Sequence, residues 1–453
     1  MTWLKIGGHW PSVCVMDGRQ TLVAAVTAIL LGTAQSAVAQ PEAFVLSGVV
    51  PGCTIDCGGT ILRVAPDTPA VLSSVVDPAG AAATSPYVTP DGGLLVWFTP
   101  GSGSRPPRLV VRDLVNGRTS TLDVPGATGS VGNPSRPEVY VFDARGVSAY
   151  GLSGVRRFTA PVCTSTSPIS VSGDGRRLLY FCYGDFAVLQ PNRALLVDTT
   201  TGQLVATLPD WLTAALNHDG SAAYVVQFVN QAQRLQKIEL PGGAVLADVA
   251  VPAALSMFGN LPIWDVHADH RRNRVLLVSQ FLRTFDGDSL TLLASGGLGL
   301  SGQVARAAQS ALDDANQRLY VTGEAITAGF KSWSFEVFDA NTLVPVVAVA
   351  AAGPGEFVPV PKPLAPTGLT AAVSGGSVTV AWAGAAAPPT TTRFVLEVGS
   401  APGLRDIFTG LDLGLQTSFT ANGVPPGRYY VRVRAGNYAG LGAPSSDVVV
   451  LVQ

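Results

Sequence analysis

An all-β fold is predicted by three features of this 453-residue chain. Short apolar runs recur, separated by turns rich in Gly, Asp and Pro. Val, Leu, Thr and Ser are plentiful whereas Met (3) and Lys are scarce, a composition that suits strands better than helices. Groups of such runs also return about every 40 residues between residues 43 and 353, the period of a repeat architecture.

Residues 167–210 (SPISVSGDGRRLLYFCYGDFAVLQPNRALLVDTTTGQLVATLPD) are the clearest unit. Apolar runs at 169–171, 178–181, 194–197 and 204–208 predict four strands. Gly-Asp-Gly separates the first two and Asp-Thr-Thr-Thr-Gly the last two. Asp bonds its own backbone and Gly accepts a positive φ, so both are hairpin turns. Four hairpin-joined strands in about 44 residues have the size of one β-propeller blade. Seven such units are expected, at 43–79, 83–125, 127–161, 162–210, 211–252, 261–301 and 304–353. The first shows only three strands, at 44–47, 60–64 and 70–75. Its inner strand is expected from the far end of the repeats, near 357–360, which would close the ring and remove two exposed edges. The third unit carries a short, Gly-rich inner strand at 128–133.

Composition excludes some functions. A formal charge of −2, 13% charged residues and no run of like charge leave no basic stripe for nucleic acid. Gly (50) and Pro (33) stay short of a low-complexity composition. Residues 21–31 (TLVAAVTAILL) are apolar but too short to span a bilayer. With Arg19 before them and Ala37-Val38-Ala39 after, residues 1–39 read as a signal peptide cleaved before Gln40. Trp3, Trp10 and Pro11 fit such a leader poorly, which points to a physiological start at Met16. A membrane-anchoring helix is the other reading of this segment.

Cleavage would remove Cys14 and leave Cys53, Cys57, Cys163 and Cys182, an even number in an exported chain, so disulfides are expected. A metal site would need a second Cys or His pair at zinc spacing beside Cys53 and Cys57, and the sequence has none. In the blade scheme, turns between strands one and two and between strands three and four share one end of the ring, here the turn end. Cys163, in a link between units, and Cys182, closing a second strand, fall at the other end, the loop end. A Cys163–Cys182 bridge is thus sterically allowed, with Cys53–Cys57 a small staple at the same end.

Specific motifs support a resemblance. VTPDGGLLVWF (88–98) aligns without a gap on VSGDGRRLLYF (171–181), and LNHDGSAAYV (216–225) is a third copy. These resemble the Ser-Pro-Asp-Gly turns of WD-repeat-like and TolB-like bacterial propellers. ADHRRNRVLLV (268–278) and LDDANQRLYVTG (312–323), in which Asp stands five residues before Arg, are more similar to Tyr-Val-Thr-Asn repeats. After a Pro-rich linker at 361–366, residues 364–453 resemble a fibronectin type III module. The matching residues are Pro366, Leu369, Val378, Trp382, Phe394, Leu396, Val398 and YYVRVRAGN (429–437). The resemblance implies that Trp382 is the core tryptophan and Tyr429 a corner tyrosine bonding back to the backbone. The turn before Tyr429 is about one residue shorter than the usual version. Alternation places Tyr429, Val431, Val433 and Ala435 on the buried face.

No catalytic residue, metal ligand set or cofactor is expected. The chain lacks a nucleophile elbow, a phosphate loop, an HExxH helix and a dinucleotide fingerprint. His218 reads as a solvated turn residue. A metal site could be drawn from Asp265, His267, Asp269 and His270, but Asp269 sits where Asp313 sits in the next unit, the place of a turn cap. The loop end should carry the longest loops, at 100–107, 183–193, 252–262 and 323–334. Tyr183, Asp185, Phe186, Lys331 and Trp333 are the candidate binding residues there, beside Phe258 and Phe330, because aromatics on scaffolded loops make binding faces. Trp211 and Trp264 are expected to pack between blades.

The resulting expectation is a secreted protein, periplasmic or extracellular, monomeric and without a membrane span, whose propeller loops bind an extracellular protein or glycan. An extracellular glycan-active hydrolase, lyase or lactonase on the same scaffold and a structural envelope component are the alternatives.

Overall fold

The computed structural model describes residues 42–453 apart from 48–59, 66–69, 77–83, 102–103, 145, 152–153, 160–162, 164, 185–190, 210–212, 230–231, 252–264, 280, 299–304, 328–329, 352–354 and 385–388. No helix of the described residues is long and apolar enough to cross a membrane. The fold is all-β and propeller-like.

Seven four-stranded antiparallel sheets are formed by the described residues up to Pro359. From the inside outward, sheet one is Gly355–Pro359, Ala43–Ser47, Thr60–Ala65 and Ala70–Val76. Sheet two is Thr84–Val88, Leu94–Thr99, Arg108–Asp113 and Thr119–Asp123. Sheet three is Ala127–Gly132, Glu138–Asp143, Gly146–Gly151 and Gly154–Thr159. Sheet four is Ser165–Val171, Arg177–Tyr183, Arg193–Asp198 and Leu204–Leu208. Sheet five is Ala214–Leu216, Ala222–Val229, Ala232–Glu239 and Val245–Ala250. Sheet six is Asp265–Asp269, Arg274–Val278, Phe281–Asp286 and Leu292–Gly297. Sheet seven is Ala305–Asp313, Arg318–Thr327, Phe330–Asp339 and Pro345–Ala351.

The inner strand of each sheet contacts the inner strand of the next, and sheet seven returns to sheet one, so the seven inner strands close a ring. Closure uses the late segment expected from the sequence: Ala43 pairs with Pro359 and Ser47 with Gly355. The first and last parts of the ring are thus stitched by a backbone ladder. The core lies between neighbouring sheets. Tyr140, Phe142 and Phe158 of sheet three pack on Leu178, Tyr180, Leu195 and Val197 of sheet four. Outer strands have no neighbour to cover them, and every residue of Thr119–Asp123 is exposed.

The Asp turns behave as their chemistry requires. Asp198 accepts the N–H groups of Thr200 and Thr201, each at 2.9 Å, and Gly202 completes the turn at φ +73°. Asp286 and Asp339 cap equivalent turns. There Leu290 and Leu343 take the left-handed conformation, and burial of their side chains offsets what glycine avoids. The Cys163–Cys182 disulfide is formed, with Cα atoms 5.4 Å apart. Cys53 and Cys57 lie outside the described residues.

One expectation is corrected. Residues 323–327 and 330–334, expected as loop, are strand. They continue the strands Arg318–Thr327 and Phe330–Asp339, whose ladder runs out to a Thr327–Phe330 pair. Thr322, Ile326, Thr327, Phe330, Trp333 and Phe335 are all strand formers, so the ladder extends until the chain must turn.

The C-terminal part has two sheets sharing one core. Thr367–Ser374, Ser377–Ala383 and Ser418–Ala421 form the first. Phe408–Asp412, Arg393–Gly399, Gly427–Asn437 and Gly440–Pro444 form the second, with Val448–Val452 also paired to Gly427–Asn437. Trp382 packs edge-on to Phe394 among Leu396, Val431, Val433 and Ala435. Tyr429 is half-buried, and its hydroxyl donates to the Pro425 carbonyl at 2.9 Å, so the short turn does not prevent that bond.

This sandwich is seated on the ring. Ala439 is buried in the core shared by sheets one and two, beside Phe44, Val88, Trp97 and Val358. Tyr438 N–H donates to the Asp91 carbonyl at 3.0 Å and Thr390 N–H to the Pro90 carbonyl at 2.9 Å. Glu42 takes Arg63 at 2.6 Å and also pairs with Lys362 of the linker, while Arg63 reaches the Ala439 carbonyl at 3.0 Å.

Candidate functional site at the turn end of the ring

In sheets two to seven the inner strand is followed by a residue that turns the chain, and the residue after it lines a shared cavity. Thr89, Ser172 and Asn217 stand at the turning position in sheets two, four and five. Asn133, Asp269 and Asp313 hold it in sheets three, six and seven. Their side chains fix the turn: Thr89 Oγ1 accepts from Leu94 N–H at 3.0 Å, and Asp269 Oδ1 accepts from Arg271 and Arg272 N–H, each at 3.1 Å. Asp269 is therefore the turn cap expected from the repeats. The next residues, taken round the ring from sheet one, are Pro361, Pro90, Pro134, Gly173, His218, His270 and Asp314. All seven line one cavity of about 510 Å³. Tyr87, Arg271, Asp313 and Pro389 are also in its wall, and Pro389 belongs to the C-terminal sandwich.

The cavity is chemically lopsided. Sheets one to three contribute prolines, whereas sheets five to seven contribute His218, His270 and Asp314. The two imidazoles are neighbours, with ring centroids 5.9 Å apart and planes tilted by 59°. Glycine at 173 makes this possible. A Cβ there would lie 2.5 Å from His218 Nδ1 and 2.7 Å from His270 Cγ. His218 is exposed, as a turn residue should be, but it is not merely solvated because its ring packs on His270.

His270 Nδ1 is buried and has no hydrogen-bond partner. Burial, reinforced by the neighbouring His218, pushes its pKa down to about 4, against the pull of Asp174. The ring is thus neutral at neutral pH. Burial, with Asp314 alongside, raises the Asp313 carboxyl to about 6, although Asn316 donates to it from both backbone and side chain. Asp314 is raised by burial and restrained by Arg271, whose Nε lies 3.4 Å away. The wall therefore carries ionisable groups displaced from their ordinary pKa values, a common property of functional sites.

A second cluster sits farther along the inner strands. His267 Nε2 lies 2.7 Å from Ser310 Oγ, and the Ser310 hydroxyl donates to Asp265. Burial works against the charge of Asp265, yet His267 and Ser310 hold its carboxyl below the ordinary range. Ser310 was invisible in the sequence because it comes from the next sheet. The geometry differs from a nucleophilic triad, in which serine and carboxylate occupy opposite imidazole nitrogens. Here both face Nε2, the carboxylate at 3.5 Å. Among the described residues, no three His, Cys, Asp or Glu side chains converge on a metal position.

The candidate residues at the loop end are dispersed. Tyr183 ends the strand Arg177–Tyr183, is 40% exposed and packs edge-on against Phe181. Trp333 is half-buried within a strand, opposite Glu324 and Ala351. Lys331 lies on the same strand, opposite Ile326. Asp185, Phe186, Trp211, Phe258 and Trp264 fall outside the described residues. The cavity residues were each in view as sequence, and one signal would have found them: the aligned repeats place Pro90, Gly173 and His218 in a single column, directly before Asp-Gly.

No protein-family model matches the chain, and no curated protein matches it. Several solved structures are similar in fold. Hydrazine synthase of Kuenenia stuttgartiensis is 14% identical, with TM-score 0.43, over 60% of this chain and 90% of that one. KlAtg21, solved with the coiled coil of AgAtg16, is 12% identical, with TM-score 0.46, over 67% and 99%. A functionally unknown protein from Desulfotomaculum acetoxidans is 15% identical, with TM-score 0.45, over 71% and 99%.

Proposed function

We propose that this chain is a secreted, non-catalytic binding protein, a seven-bladed β-propeller joined to a fibronectin type III module, that engages an extracellular glycan or protein segment at the turn-end cavity. The observation that carries this reading is the composite wall. Six sheets and the start of the linker after sheet one bring residues to the same cavity, and the sandwich adds Pro389. Concave sites with a largely apolar wall and a few convergent polar groups are the usual ligand sites of proteins. Prolines and Tyr87 offer flat apolar contact, while His218, Arg271 and Asp313 offer donors and acceptors that fix orientation. The Lys362–Glu42–Arg63 ion cluster and the burial of Ala439 hold the sandwich against the rim, so the second module acts as part of the site.

The test is a binding screen of the full chain against glycans and extracellular proteins, repeated with His270→Ala and Tyr183→Ala. Ligand lost with His270→Ala and kept with Tyr183→Ala is the expected result. The opposite pattern would move the site to the loop end. A ligand consumed during the assay would make the protein an enzyme.

A further inference from the structure

The wall of the turn-end cavity distinguishes a glycan from a protein segment as its occupant. An extended peptide is held chiefly through main-chain hydrogen bonds, which need free N–H and C=O groups on the receptor. Much of this wall has none to give. Pro90, Pro134, Pro359, Pro361 and Pro389 line it without an N–H, and the His218 carbonyl already accepts from Asp174 N–H at 2.8 Å. The charges of the wall are also paired internally. Arg271 Nε lies 3.4 Å from Asp314, and the buried Asp313 accepts from the backbone N–H and the side-chain amide of Asn316. The apolar side of the cavity has a fixed ring. Tyr87 stands where sheet two packs on sheet three, and its hydroxyl lies 2.6 Å from the Asn133 carbonyl and 2.8 Å from that of Arg136. Gly132 admits the ring, since a Cβ there would come within 1.9 Å of Tyr87 Cδ2. Tyr87 is half-buried, and both residues line the cavity. Arg271, in the turn of sheet six, belongs to the opposite side of the closed ring.

We infer that the occupant is an uncharged glycan, one pyranose ring of which stacks on Tyr87 while hydroxyls along the same chain reach Arg271 and Asp314. A pyranose has a face of C–H groups, which suits the electron-rich face of an aromatic ring, and a rim of hydroxyls that both donate and accept. The Arg271–Asp314 pair presents donors on one partner and acceptors on the other with no net charge, the match for adjacent hydroxyls. An ionic ligand would have to break that pair. The prolines supply flat apolar contact around the stacked ring. The inference rests on the cavity reading and gives that cavity a chemical class of ligand, with Tyr87 as a specificity-determining residue.

The experiment is calorimetric titration of the full chain with maltohexaose, cellohexaose, mannohexaose and chitohexaose, and with a galacturonate hexamer as the acidic counterpart. A neutral hexamer should bind and the galacturonate hexamer should not. Tyr87→Leu, which keeps bulk and removes the ring, should weaken binding by about tenfold, and Tyr87→Phe should restore it. Asp314→Asn leaves Arg271 without its counter-ion, so it should weaken the neutral hexamer and admit galacturonate. If Tyr87→Leu does not fold, Asp314→Asn decides the matter. Binding of no neutral hexamer, a preference of the unmodified chain for galacturonate, or an affinity unchanged in folded Tyr87→Leu would overturn the inference. Such failure is separable from that of the cavity reading: a protein ligand lost with His270→Ala would keep the cavity and dismiss the glycan.

Discussion

Two regions of the molecule bury charge in opposite ways. In the sandwich, Glu397 is fully buried on the face of the second sheet turned away from the core. It accepts Arg432 Nε at 2.6 Å and Arg434 Nε at 3.1 Å, with Arg405 at 3.5 Å. Burial opposes its charge, yet these arginines hold its carboxyl below the ordinary range. Arg434 is itself satisfied by the Gly442 carbonyl at 3.1 Å. Two ionisable groups on the inner strands and their turns have few partners. Glu356, on the closing inner strand, accepts one bond, from Ser85 N–H at 2.6 Å, and burial raises it to about 7. His270 is displaced the other way, to about 4. Saturated charge serves packing. Under-partnered charge costs stability, and in the proposed reading its place beside the cavity is where a ligand would be met.

The strongest way to break this contrast is Glu397→Ala. It leaves Arg432 and Arg434 buried without their counter-ion, and removing one partner of a buried ion pair costs about 3–5 kcal/mol. Urea unfolding of the full chain should show that loss. A cost below about 1 kcal/mol would mean the cluster is solvated and the contrast false.

A smaller effect, with a pH signature, is expected at the axis. The folded pKa of Glu356 lies above its unfolded value, so the folded state holds its proton more tightly. Stability from this group is complete below the unfolded pKa and is lost as pH rises toward 7. Glu356→Gln keeps an oxygen for Ser85 N–H and removes the ionisation. It should be neutral near pH 4.5 and stabilising by at most about 3 kcal/mol at pH 8, at about 1.4 kcal/mol per pKa unit. Melting curves at the two pH values check this, and an equal change at both would deny the burial of the carboxyl.

Much of the scaffold was legible in the sequence because its determinants are local. Period-two alternation, Asp-Gly turns and Asp caps act over a few residues, so the hairpins followed directly. The closing strand was legible because sheet one lacked an inner strand and the end of the repeats, near 357–360, could supply it. The Cys163–Cys182 bridge followed from placing both residues at one end. The strand residues at 323–327 and 330–334 were read as loop because they fall where the blade scheme puts the link between strands two and three. The cavity required convergence of residues hundreds of positions apart, from Tyr87 to Pro389, which no local pattern encodes. The arginine cluster was half visible, since Arg432 and Arg434 alternate with Val431 and Val433. Its acid, Glu397, could be found only through the strand pairing that sets it opposite Arg432.

The smallest perturbation is also the most direct test of the central claim, because it changes nothing in the protein. Histidine-selective isotope labelling of the full chain would follow the His270 ring by NMR from pH 8 to pH 3. A neutral ring that accepts its proton only near pH 4 is predicted, lost stability on the acid side accompanying it because the unfolded chain protonates near 6.5. Titration near 6.5 in the folded protein would show an imidazole already served by water, and would contradict the contrast between the saturated acid of the sandwich and the under-partnered group beside the cavity.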